Sequence, residues 1–239
     1  KQKGLVKARG KQRTDSTHVL AAVRTVNRLE LVAETLRATL NDLAEVAPEW
    51  LQAFTPKEWF ERYGRRIEEA RLPKPRAERD AYTQVVGNDG FTLLDALDKP
   101  DTPQDLGTLS SVVILRKVWE QQYERIDGEA HWRNAEKLAP NKERLHSPYD
   151  LDMTYSMKGN REWLGYKVHL TETCDEDTPH LITDVQTTQA HVPDVSMTET
   201  IERDLETRGL PPTDHLLDGG YTDVDLLVEA RNERGINII

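Results

Sequence analysis

Leu216-Leu217-Asp218-Gly219-Gly220-Tyr221 is a short apolar run that delivers a carboxylate and then breaks at paired glycines. Such a run reads as a buried strand whose tip exposes Asp218. A helix is expected from Thr222, with Asp225 three residues on as a weak capping-box partner. Open α/β sheets gather their chemistry at the carboxyl ends of strands, which makes Asp218 the leading candidate for a functional acid. The second candidate lies far upstream, in Arg13-Thr14-Asp15-Ser16-Thr17. Thr14, Thr17, Val19 and Val23 favour strand there. A period of two puts Asp15, Thr17 and Val19 on one face, with Ser16 and His18 on the other. His18 reads as a packed or solvent-facing side chain rather than a co-ligand of Asp15.

Upstream of the Asp218 strand, Trp163 to Leu170 alternates well and Leu181 to Thr187 supplies a second arm, so an antiparallel hairpin is expected over 163–187. Asp194 is expected to cap a helix carrying Met197, Ile201 and Leu205, stopped by Gly209. His215 falls on the strand face opposite Asp218. Asp184, with Asp175, Glu176 and Asp177, reads as turn chemistry and solvated charge. After Asp218 come a helix with Val224, Leu227 and Val228, then a strand at Ile236 to Ile239 that reads as cut in mid-element.

Between the first strand and the hairpin the pattern is helical. Leu29, Val32, Leu36, Leu40, Leu43 and Ala47 recur at helical spacing up to Pro48. Trp50, Phe54, Trp59, Phe60 and Tyr63 surround a short helix starting at Thr55-Pro56. Gly87-Asn88-Asp89-Gly90 and Pro100 to Gly107 read as turns before a helix at about 110–127, and 130–150 reads as a polar connection. The whole block reads as a packing unit.

The 239 residues can bury a real core, and no apolar stretch reaches the ~20 residues of a membrane span. A lone cysteine, Cys174, excludes an internal disulfide and a Cys-based zinc site and fits a reducing cytoplasm. The net charge of −10 argues against a nucleic-acid partner on average. Local patches decide binding, however, and Lys1, Lys3, Lys7, Arg9, Lys11 and Arg13 precede the first acid, Asp15. A basic strand leading into an acidic site suits a phosphodiester-processing enzyme. No Ser, Tyr or Cys is set up as a nucleophile.

With the helical block removed, the order is strand, hairpin, helix, strand, helix, strand. That is the order of the ribonuclease H-like core, in which the first strand lies parallel beside the strand after the first helix. The expected fold is α/β: a ribonuclease H-like mixed sheet with a large helical insertion after the first strand, truncated at the C-terminus. Its parts are the first strand (1–24), the insertion (25–146) and the remainder of the core (147–239). Asp15 and Asp218 would then stand on neighbouring strands, ~5 Å apart in backbone. Two carboxylates so close repel unless a divalent cation neutralises them, and Mg²⁺ prefers such hard oxygens.

Thr14-Asp15-Ser16-Thr17, Gly165-Tyr166-Lys167-Val168-His169-Leu170 and Asp218-Gly219-Gly220-Tyr221, in this order, resemble the DDE transposases of bacterial insertion sequences. The resemblance implies metal-dependent DNA strand cleavage and strand transfer, with Asp15 and Asp218 as the first two acids of a metal-binding triad for Mg²⁺ or Mn²⁺. It has no counterpart here for the third acid. It implies double-stranded DNA as partner (transposon ends and target), leaves open a homodimer on DNA, and suggests Lys167, His169, Tyr221, Lys11 and Arg13 as weaker DNA contacts. As a fragment lacking the third acid, the chain is expected to be inactive by itself. The alternative expectation is an inactive or domesticated remnant that only binds DNA or protein.

Overall fold

The computed structural model describes residues 5–23, 26–103 and 105–239. The chain is α/β with a mixed sheet and divides into two compact units: 5–21 with Asp152–Ile239, and Ala22–Leu151. No helix of the described residues is long and apolar enough to cross a membrane.

The first strand, β1, spans Gln12–Leu20. The helical unit follows in sequence: α1 (Arg28–Val46), α2 (Pro48–Phe54), α3 (Lys57–Tyr63), α4 (Arg76–Leu97) and α5 (Ser110–Gln122), then a hairpin of β2 (Tyr123–Ile126) and β3 (Glu129–Trp132). Asn27 caps α1: its side chain accepts from the amides of Leu29 and Glu30, and the Glu30 carboxylate takes the Asn27 amide in return. Leu29, Val32, Leu36, Leu40 and Leu43 on α1 then enter one apolar core with Val86 and Leu93 of α4 and Val112, Leu115 and Trp119 of α5.

Two sequence expectations change here. Gly87 to Gly90 is no turn, because α4 runs straight through it. The glycines serve packing: a β-carbon on Gly90 would lie 2.0 Å from the Trp119 ring. The Trp119 indole N–H also reaches the Gly87 carbonyl at 2.9 Å. The helix expected to reach about 127 instead ends at Gln122, and the polar stretch after it contains β3. Asp127-Gly128, both with positive φ (52° and 86°), makes the tight turn that a two-residue hairpin needs.

The sheet unit continues with β4 (Thr154–Lys158), β5 (Arg161–Thr173), β6 (Ile182–Gln189), α6 (Thr198–Thr207), β7 (Asp214–Leu217), α7 (Val224–Glu229) and β8 (Asn237–Ile238). The expected hairpin is present as β5–β6, and β4 adds a further antiparallel arm. Strand β5 is the spine. One edge pairs antiparallel with β1, and its other edge carries β4 along 161–165 and β6 along 166–172. Beyond β1 lie β7 and then β8, both parallel. Pairing β1 with β7 joins residues distant in sequence, with Thr14 opposite Leu217.

Burial along β5 alternates: Trp163, Lys167, His169, Thr171 and Thr173 point to the covered side, where Ile201 and Leu205 of α6 pack on Tyr221. The other side is open, with Leu170, Val185 and Leu216 exposed. The capping expectations also change. α7 is capped by Asp223, whose side chain accepts the Leu226 amide, rather than by Thr222 and Asp225. Asp194 opens a 3₁₀ turn without a capping bond, because its carboxylate is engaged elsewhere. Val224, Leu227 and Val228 stand on α7 as expected and are exposed there.

Candidate functional site

The β1–β7 ladder ends at Thr14–Leu217, one residue before each of the two acids. Asp15 and Asp218 therefore stand side by side at the carboxyl end of two parallel neighbours, where open α/β sheets place ligands. Both are exposed. One oxygen of each is held by local backbone: Asp15 Oδ1 accepts the Ser16 amide at 2.7 Å, and Asp218 Oδ1 accepts the Gly220 amide at 2.8 Å. Among the described residues no cation pairs with either acid, so their remaining oxygens are open. A groove of about 360 Å³ runs beside Asp15 along the open side of the sheet, lined by Arg13, Thr17, Leu170, Glu172 and Ile182.

Beneath the acids lies a buried polar layer that the sequence reading largely misplaces. Lys167 and His169, read as an exposed face able to meet DNA phosphate, are 8% and 0% exposed. They point inward because that face of β5 is the covered one. The Lys167 ammonium meets Asp194 Oδ1 at 2.6 Å, and Ser16 Oγ stands 3.4 Å from Asp194 Oδ2. Tyr221, read as able to stack on or position DNA or equally to plug the core, does the latter: it is fully buried with its hydroxyl 2.6 Å from His169 Nδ1. The other imidazole nitrogen lies 3.2 Å from Thr188 Oγ1. Burial lowers the His169 pKa; Asp194 opposes this and Lys167 adds to it. A neutral imidazole has one donor and one acceptor, and either tautomer satisfies both partners because the phenol and the Thr188 hydroxyl can each donate or accept.

Burial likewise pushes the Tyr221 pKa up. A hydrogen bond from Ser16 counters this, while Asp194, Asp15 and Asp218 reinforce it. Three carboxylates thus act electrostatically on one phenol. Gly220 fits between two of them: a β-carbon there would sit 3.0 Å from Asp218 Oδ1 and 3.6 Å from Asp194 Oδ2. Asp194 is the residue that sequence reasoning missed, since a helix start explains an acid at that position without any further role. No local pattern announces it.

The basic segment before Asp15 is partly neutralised. Arg13 pairs with Glu172 (Nε to Oε1, 2.6 Å), and Lys7 pairs with Asp177 and Asp175. The bond to Asp177 raises the Lys7 pKa. Arg9 donates to the carbonyls of Arg234 and Gly235. Lys11 is exposed, whereas Lys1 and Lys3 lie outside the described residues. His18 stacks on Trp163, with ring centroids 3.8 Å apart. Asp184 is not solvated turn charge: it is buried and paired with Arg208 at 2.8 Å. His215 does lie on the inner face, 2.7 Å from Thr14 Oγ1.

Among the described residues no three His, Cys, Asp or Glu side chains form a group that could hold a metal ion. Two hard carboxylates with open oxygens nevertheless fit a cation that keeps water and phosphate as its other ligands, as Mg²⁺ does. Comparisons with family models, curated proteins and solved structures return no match to this chain.

Proposed function

We propose that this chain is part of a DDE-type DNA transposase, cleaving and joining DNA strands at Asp15 and Asp218. The observation that carries the reading is the juxtaposition of two exposed acids at the ends of parallel β1 and β7. The strand order supports it too. The order and directions of β6, β5, β1, β7 and β8, with the helical unit after the first strand, support a ribonuclease H-like reading. The three sequence motifs that resemble the family lie on the neighbouring strands β1, β5 and β7 or just past them.

Asp15 and Asp218 would hold Mg²⁺ or Mn²⁺ through their open oxygens. A bound divalent cation there supplies activation of the attacking water or 3′-hydroxyl and charge stabilisation at phosphorus. The chain's own part is to orient these carboxylates and to keep their surroundings electrically balanced through the Lys167–Asp194 pair. Tyr221 is no nucleophile, being buried with a raised pKa. Double-stranded DNA is the proposed substrate and partner, lying along the open side near Asp15.

The test is strand cleavage and 3′-end joining on DNA with Mn²⁺, using the full-length parent protein. Asp15→Asn and Asp218→Asn should each abolish both steps while leaving DNA binding within about threefold, since uncharged Asn removes the metal ligand but little contact surface. Cleavage retained in Asp218→Asn contradicts the reading. DNA binding without cleavage in the unmutated protein would instead identify a remnant that only binds.

A further inference from the structure

The backbone ladder that aligns β1 with β7 stops one residue short of both acids. Beyond it, their spacing depends on what holds the two strand ends. The Asp218 turn closes on itself, with the Gly220 amide on Asp218 Oδ1 and the Tyr221 amide on the Asp218 carbonyl at 3.1 Å. Tyr221 then drops into the interior. Its carbonyl takes the Thr198 hydroxyl of α6 at 2.6 Å, and its phenol bonds His169 of β5, the residue opposite Ser16 of β1 in the strand register. Ser16 is the neighbour of Asp15, so this one hydroxyl links the Asp218 turn, through His169, to the strand pair that carries Asp15.

Resting on the reading of Asp15 and Asp218 as one site, we propose that Tyr221 is a positioning residue: its hydroxyl ties the Asp218 turn to His169 of β5, which pairs with β1 beside Asp15, and so fixes the spacing of the two carboxylates. A ring that merely filled the core would be served equally well by Phe. The hydroxyl is useful because a buried imidazole partners it, and a buried hydroxyl left unpaired is costly.

The test compares Tyr221 with Tyr221→Phe in the whole chain, by two readouts. The first needs no metal: Asp15→Cys and Asp218→Cys are introduced with Cys174→Ser, and the effective concentration of the disulfide is measured against glutathione. Neighbouring positions on paired strands fall within the Cα spacing that a disulfide tolerates. The second is Mn²⁺ affinity by calorimetry with both acids in place. The expected result is a loss of about tenfold or more in each, the range that residues supporting metal ligands command.

An unchanged effective concentration in Tyr221→Phe overturns the proposal, even if the urea midpoint falls, because a merely structural hydroxyl would affect only the midpoint. Failure of the disulfide to form with Tyr221 in place also overturns it. A drop in effective concentration while neither protein binds Mn²⁺ upholds the positioning role and removes the metal-dependent reading.

Discussion

The helical unit and the sheet unit are held together by different interactions. In the helical unit, leucines, valines and tryptophans from α1, α4 and α5 share one apolar core, and its buried acids are few and fully engaged. Glu34, for example, accepts from Arg37, the Tyr149 hydroxyl and the Ile67 amide. In the sheet unit the apolar cluster beneath the sheet is Ile201, Leu205 and Tyr221. Much of the rest of the covered face is polar. Thr14 bonds Thr171 and His215, His215 lies 3.5 Å from Glu202, and Glu202 takes Arg234 Nε at 2.9 Å. Non-directional burial stabilises a unit without fixing any one distance closely, whereas buried hydrogen-bonded chains stabilise only when every partner is in place. The unit that carries Asp15 and Asp218 is the one whose interior is directional.

The largest way to break this contrast lies in the helical core. Trp119→Ala should cost about 3–5 kcal/mol, as large-to-small core substitutions do. Urea unfolding followed by circular dichroism checks it, and a loss below ~1 kcal/mol would mean that the core is not the main support. Glu202→Gln leaves the buried Arg234 without its buried counter-charge, with only the exposed Glu233 at 3.8 Å, and should cost about 3 kcal/mol, whereas Glu202→Leu with Arg234→Met should come close to neutral. If the double variant is as unstable as the single one, the polar layer is not a charge-compensated network. Asn27→Ala removes the capping box of α1 and should cost about 1 kcal/mol, confined to the helical unit and visible as faster amide exchange at the start of that helix.

The smallest effect is on pH dependence. His169 has a folded pKa below its ordinary 6.5, chiefly through burial. Between that lowered value and 6.5 the unfolded chain binds more protons than the folded one, so stability falls as the pH drops through this window and is fully present above it. His146 behaves in the same sense in the helical unit. The urea midpoint should fall from pH 7 to 5.5, and His169→Gln should flatten that slope. An unaltered slope would mean that His169 is protonated in the fold.

Strong periodicity made much of the architecture legible. The α1 stripe, the β5–β6 hairpin, α6 and the apolar run into Asp218 all stand where their patterns put them. Local composition misled where tertiary packing overrides it. Gly87 and Gly90 look like turn residues, but they serve as the flat side of a helix under Tyr123 and Trp119. The Asp127-Gly128 turn of β2–β3 was a readable signal, as was the Gly159-Asn160 connection of β4–β5. Within the site, the two acids and their neighbouring strands could be read directly. The orientation of Lys167, His169 and Tyr221 could not, because an alternating strand does not declare which of its faces a helix will cover.

The most direct measurement is Mn²⁺ binding by calorimetry on this chain, comparing the unmutated protein with Asp15→Asn, Asp218→Asn and the double variant. Saturable binding that is lost in each single variant, with no further loss in the double, is the expected result for two carboxylates sharing one cation. Equal weak binding in all four proteins would contradict the assembled site.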